Sequence, residues 1–208
     1  MTNPLADDPK VTYALFKLED ELNNQSENPH PDFAHITTHK DEVLSRYQPI
    51  FSSSHLPVLT KSEFESFLLY KNNHHWTDMH RVEKFITEDM DLLHKALLIL
   101  VDESRPVRDR LNELRPERSW ATKSMVSHLG FPALTAILQV TQPDKYGVWN
   151  NTSDFGMKAV MLWDKRWENQ LAGDTYMKIN EIYLYLAESL HIDLWTLDAL
   201  WWSMKKRI

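Results

Sequence analysis

Four glycines in 208 residues leave this chain few of the tight turns on which strand-rich folds depend. Two-residue hairpin turns and strand bulges favour glycine, so sandwiches and barrels are disfavoured. Apolar side chains instead recur at helical spacing over long stretches, including 11–22, 82–101, 174–190 and 194–206. That period buries one face of a helix. The expectation is an all-α fold of many helices. The length suffices for one substantial core. It forms either a single helical domain over 1–208 or two lobes flanking a cleft. One lobe would then be about 1–100 with the C-terminal helices, and the other about 105–170.

Cysteine is absent, which excludes disulfides and thiolate metal sites. The opening MTNPLADDPK has neither the basic nor the apolar region of a signal peptide, and no apolar run approaches the ~18 residues of a membrane span. A cytoplasmic monomer with no membrane partner is expected. The net charge of −7 disfavours diffuse binding to nucleic acid. Its distribution is uneven. Residues 105–148 carry Arg105, Arg108, Arg110, Arg115, Arg118, Lys123 and Lys145 against Asp109, Glu113, Glu117 and Asp144. That window is +3 and the remainder −10. A basic island in an acidic protein suits a localised phosphate contact. A solvated helix face of mixed charge would have the same composition.

Local signals set the expected boundaries. Thr60 with Glu63 forms a capping box, opening a helix to about Lys71. Pro106 suits the first turn of a helix over 106–114. Further helices are expected at 40–47, 119–127, 132–141 and 153–170, with loops at 23–39, 48–59 and 142–151. Residues 146–149 could be extended. Trp163, Trp167, Trp195 and Trp201 fall on amphipathic stretches and are expected in the core.

The segment around 128–136 has the physical logic of a helix-hairpin-helix. A helix ends near Ser127, His128-Leu129-Gly130-Phe131 turns, and Pro132 opens the next helix with Ala133, Thr135 and Ala136 on one side. Gly130 is free to take a positive φ, and small residues let two helices approach closely. The N–H groups of such a turn and the helix dipole make a seat for phosphate.

Here the chain resembles the helix-hairpin-helix DNA glycosylase superfamily, the relatives of endonuclease III and 8-oxoguanine glycosylase. The hairpin glycine matches Gly130, the apolar hairpin residue Phe131 and the threonine-alanine pair Thr135-Ala136. The apolar helix matches 137–140, and the catalytic aspartate falls on Asn150. The second hairpin glycine is Pro132 and the lyase lysine is Leu134. The resemblance therefore implies a monofunctional DNA glycosylase fold without Schiff-base lyase chemistry and without a cofactor. Asparagine accepts and donates hydrogen bonds but is no base. Asp154, in the first turn of the next helix, is the nearest carboxylate, although helix starts attract aspartate for structural reasons too. Two segments, 143–150 and 70–76, are also similar to small proteins near prokaryotic phage-defence systems. That likeness implies double-stranded phage DNA as partner, bearing a modified base such as glucosylated hydroxymethylcytosine.

Residues 72–81, NNHHWTDMHR, are the remaining oddity. His75 and His80 lack the i, i+4 spacing of a helical zinc pair, so no metal is expected there. Trp76 could wedge into a duplex, with His75 at a base edge and Arg81 on a phosphate; equally, Trp76 could cap the core. The expected site is then Asn150 and Asp154 for catalysis, Leu129, Gly130, Phe131, Lys123 and Arg81 for DNA, and Trp76, His75, Tyr146 and Trp149 as base pocket or wedge. The alternatives are a non-catalytic DNA-binding module and a helical adaptor for protein partners.

Overall fold

The computed structural model describes residues 4–77, 79–115 and 124–206. Among these residues all regular structure is helical: twelve α-helices and three short 3-10 segments, with no strand. No helix is long and apolar enough to cross a membrane.

The helices begin where side chains satisfy their first N–H groups. Asp8 accepts from Lys10 N at 2.8 Å to open α1 (Pro9–Glu27). Thr60 and Glu63 form the expected box at the start of α4 (Lys61–Leu68). Asp89 caps α7 (Met90–Val101) through Leu92 N. The stretch expected as one helix over 82–101 is therefore broken: α6 (Glu83–Ile86) ends before that cap. The expected loop at 23–39 is mostly helix. The first helix continues to Glu27, and α2 (Pro31–Thr38) starts on Pro31, whose fixed φ suits the first helical position. Next come α3 (Lys40–Ile50), α5 (Tyr70–Asn73) and α8 (Val107–Leu114), the last beginning just after Pro106. The remaining helices are α9 (Phe131–Thr141), α10 (Asn151–Ala159), α11 (Ala172–Ser189) and α12 (Leu194–Lys206). The helix expected over 153–170 stops at Ala159, where the chain turns through Met161 at φ 62°. Of the expected first hairpin helix, 119–123 lies outside the described residues and 124–127 is not helical.

The buried side chains form one continuous cluster. Its centre is α12, buried on nearly every side, which packs against α1, α2, α10 and α11. Trp195 and Trp201 are fully enclosed, Trp167 is buried and Trp163 is half-buried against the same core. Trp195 Nε1 donates to Ile36 O of α2 at 2.9 Å. Gly156 of α10 lies directly against the Trp201 ring, where a Cβ would collide. At Gly147, a Cβ would come within 2.5 Å of Tyr183 Cδ2.

Among the described residues the basic island divides between buried arginines and surface ion pairs. Arg110 is 1% exposed. It donates to Leu100 O at 2.5 Å and Tyr146 OH at 2.7 Å, and pairs with Glu103 at 2.8 Å. Lys145 also pairs with Glu103, Arg105 with Glu113 and Arg108 with Asp109. Arg115 is buried; Arg118 and Lys123 lie outside the described residues. Among the described residues, Arg105, Arg108, Arg110 and Lys145 of the expected phosphate contact are already paired with acids. Desolvation raises the Glu103 carboxyl, but Lys145, Arg110 and Tyr146 outweigh it, and the net shift is downward.

Two outcomes follow. Arg110→Ala strands a half-buried carboxylate and several acceptors, and we expect a loss of about 3–5 kcal/mol in urea unfolding. The stability that Glu103 contributes is full above its ordinary value of 4.5 and is lost as pH falls through its lower folded value. Glu103→Gln should therefore cost stability at neutral pH and flatten the acid limb of the stability–pH curve.

Candidate functional site

The turn at 128–131, α9 and the start of α10 are joined through side-chain contacts. Gly130 is the N-cap of α9 with φ −91° and ψ 170°. The left-handed turn expected at this glycine falls instead on His128, at φ 63°, a residue type enriched in that region. His128 stacks on Phe85 with ring centroids 4.6 Å apart. Leu129 and Phe131 point into the core and are buried. They fix the turn and do not present apolar contacts to a ligand. Gly130 is half-exposed, and the N–H groups of Gly130 and Phe131 have no backbone partner among the described residues.

Phe131 packs on Trp149 with centroids 5.1 Å apart. Thr135, buried on α9, accepts from Trp149 N at 2.9 Å and donates to Phe131 O at 2.7 Å. That hydroxyl stitches α9 to the chain entering α10. Trp149 Nε1 then donates to Asp154 Oδ1 at 2.8 Å. The carboxylate is 6% exposed and sits in the first turn of α10, at the positive end of the helix dipole. Asn150 is the N-cap. Its Oδ1 accepts from Thr152 N at 2.7 Å and Ser153 N at 3.0 Å, and Ser153 Oγ accepts from Asn150 N. The aspartate-to-asparagine departure thus has a structural occupation: the amide oxygen satisfies two of the orphan N–H groups of a helix start.

The other expected residues go elsewhere. Tyr146 is buried, and its hydroxyl joins the Arg110–Glu103 network at 3.0 Å from Glu103. Trp76 is 3% exposed, so it is not presented as a wedge. Its Nε1 donates to Asp198 Oδ2 of α12 at 3.3 Å. His75 is also enclosed, stacked on Trp76 and 2.8 Å from the same carboxylate, so it does not reach a base edge. Both went inward because the Asn73 side chain turns the backbone: its Oδ1 accepts from His75 N at 2.9 Å and Trp76 N at 2.7 Å. Arg81 is exposed on the 3-10 segment Met79–Val82. Asp78 and Lys123 lie outside the described residues.

A surface cleft of about 660 Å³ opens beside the turn, between Val126–Ser127 and residues 85–92. Glu88, Asp89 and Asp91 line it, together with Phe85, whose ring is half-exposed. Carboxylates there repel phosphate and accept hydrogen bonds from hydroxyls. Sequence reasoning missed this cleft, because 85–92 and 126–127 are distant in the chain and the break before α7 was not expected. His80 is exposed and His75 is enclosed against Asp198. The histidines that do converge are His35, His39 and His74. No family model, curated protein or solved structure matches the chain.

Replacing Thr135 by valine removes the acceptor of Trp149 N–H without changing volume. We expect Thr135→Val to cost about 1–3 kcal/mol in chemical unfolding and to loosen the Trp149–Asp154 contact, seen as a change in near-UV circular dichroism.

Proposed function

We propose that this protein is a monofunctional DNA glycosylase acting on a modified base, with the turn at 128–131 holding the DNA backbone and Asp154 as the catalytic carboxylate. The observation that carries this reading is the continuous path from Phe131 through Trp149 to Asp154 at the start of α10. It puts a carboxylate and a helix N-terminus immediately behind a backbone turn. A nucleotide must leave the stack before its glycosidic bond can be reached. Its phosphates would take the N–H groups of Gly130 and Phe131 at the start of α9.

In the reaction the C1′–N bond breaks and the base departs with the bonding electrons. The sugar becomes oxocarbenium-like, with positive charge that Asp154 stabilises. Water adds at C1′ and gives its proton to the carboxylate, leaving an abasic site. Asn150, held by the backbone of α10, keeps this helix start in place and takes no proton. The cleft at 85–92 supports the choice of substrate. Its volume is within the roughly 300–1,000 Å³ of ligand sites, and its carboxylates suit a hydroxyl-rich base modification.

A second reading is favoured by the engagement of Asn150 as a cap and by the small exposure of Asp154: a DNA-binding module without chemistry. A panel of duplexes, each bearing one modified base, separates the two by alkali-labile abasic sites. The glycosylase reading expects cleavage at one class of modified base, and a loss of about 10²-fold or more in Asp154→Asn. Binding of the panel with no abasic site on any member would leave only the second reading.

A further inference from the structure

We propose that His35, His39 and His74 form a binding site for a borderline divalent transition-metal cation of the zinc class. The three share no residue with the turn at 128–131 or with α10. Their ligand atoms all lie within 4.8 Å of one another, and all three side chains are partly buried. His35 and His39 are four residues apart, on the last turn of α2 and at its C-cap, so they project from one face. His74 comes from the C-cap of α5 and is held at φ 54°, ψ 8°. A left-handed backbone at a non-glycine residue persists only where its surroundings over-determine it. Here Asn73 on one side and the buried His75–Trp76 pair on the other leave it no alternative.

A hydrogen bond fixes the free nitrogen of His39, and a cation would displace the one proton shared between His35 and His74. His39 Nδ1 lies 2.7 Å from His35 O. A carbonyl only accepts, so Nδ1 carries the proton and Nε2 keeps its lone pair. His74 Nε2 lies 3.6 Å from Glu42 Oε1, and its Nδ1 faces His35 Nε2 at 3.3 Å. A carboxylate or carbonyl behind each ligating imidazole is the usual outer shell of a zinc site, fixing tautomer and ring orientation. The separation of 3.3 Å also matches a tetrahedral N···N edge, about 3.3 Å for Zn–N bonds of ~2.0–2.1 Å. The His39 and His74 rings now stack at 4.1 Å between centroids, so closing the third edge requires them to swing apart. Three nitrogens leave a fourth position for water, or for Glu42 if its exposed side chain turns inward.

Burial, then His39 and His74, lower the pKa of His35, while Asp32 opposes them. The other groups facing the cluster are Glu42 and Tyr70.

The test uses the full chain after chelator treatment, titrated calorimetrically with Zn²⁺ and followed by visible absorption with Co²⁺. We expect one equivalent of each, tetrahedral absorption for Co²⁺, and weakening as pH falls below about 6. His39→Gln and His74→Gln should lose at least the roughly 10–100-fold that loss of an outer-shell partner costs. Glu42→Gln, on the exposed side and harmless to folding, should weaken binding about tenfold. His80→Gln should change nothing, and circular dichroism checks that each variant is folded. Failure of the unmodified chain to take up either metal overturns the site. So does uptake that survives the His39, His74 and Glu42 substitutions.

Discussion

A carboxylate sits in the middle of this fold, and the arrangement around it dictates where the neighbouring segments go. Asp198 projects from α12, the helix that the others enclose, and is 2% exposed. A charge taken out of water costs several kcal/mol unless donors surround it. Trp76 Nε1 donates to it at 3.3 Å, and the enclosed His75 ring lies against the same oxygen with Nε2 2.8 Å away. Residues 70–77 are therefore drawn onto the central helix. Trp195, one turn earlier on the same helix, fastens α2 by its bond to Ile36 O. These two attachments bring His35 and His39 face to face with His74. The histidine cluster is a by-product of how Asp198 is enclosed, and its ligand atoms lie within 4.8 Å of one another.

A second buried ion pair does comparable work at the other end. Arg110 joins α8 to the end of α7 and to the chain that enters α10, through Leu100 O, Glu103 and Tyr146. This network, with the Thr135 hydroxyl, sets the path of residues 146–150 and hence the place of Asp154. The cost is that Arg110, which might have met phosphate, is turned inward.

The helical class, the Thr60–Glu63 box, the start of α9 and the whole of α12 were legible because each rests on local chemistry: apolar period, a capping oxygen, a proline at the first turn. The four tryptophans expected in the core were legible too, but the places of His75, Tyr146 and the basic residues were not, and Trp76 was left between wedge and core. Trp76 and His75 sit in a polar run, NNHHWTDMHR, which looks like surface; the partner that buries them is 122 residues away. Arg110 and Lys145 counted as surface charge because Glu103 is invisible as their partner in a one-dimensional count. His35 and His39 carried the i, i+4 signal, but two prolines made 23–39 read as a loop, where that spacing means nothing. Proline at a first helical position and proline in a loop look alike until the next turn is seen. The Asn150 substitution was legible as a departure, while its capping role needed the geometry of α10.

The claim that α10 and the turn at 128–131 form a base-excision site is tested most directly by affinity for the state the reaction passes through. Enzymes bind such states far more tightly than their substrates. Fluorescence titration should compare an ordinary duplex with one carrying a cationic pyrrolidine in place of a single deoxyribose, which imitates the oxocarbenium charge. The account predicts binding at least about a hundredfold tighter to the cationic duplex, with the advantage lost in Asp154→Asn. Equal affinity for the two duplexes would contradict it.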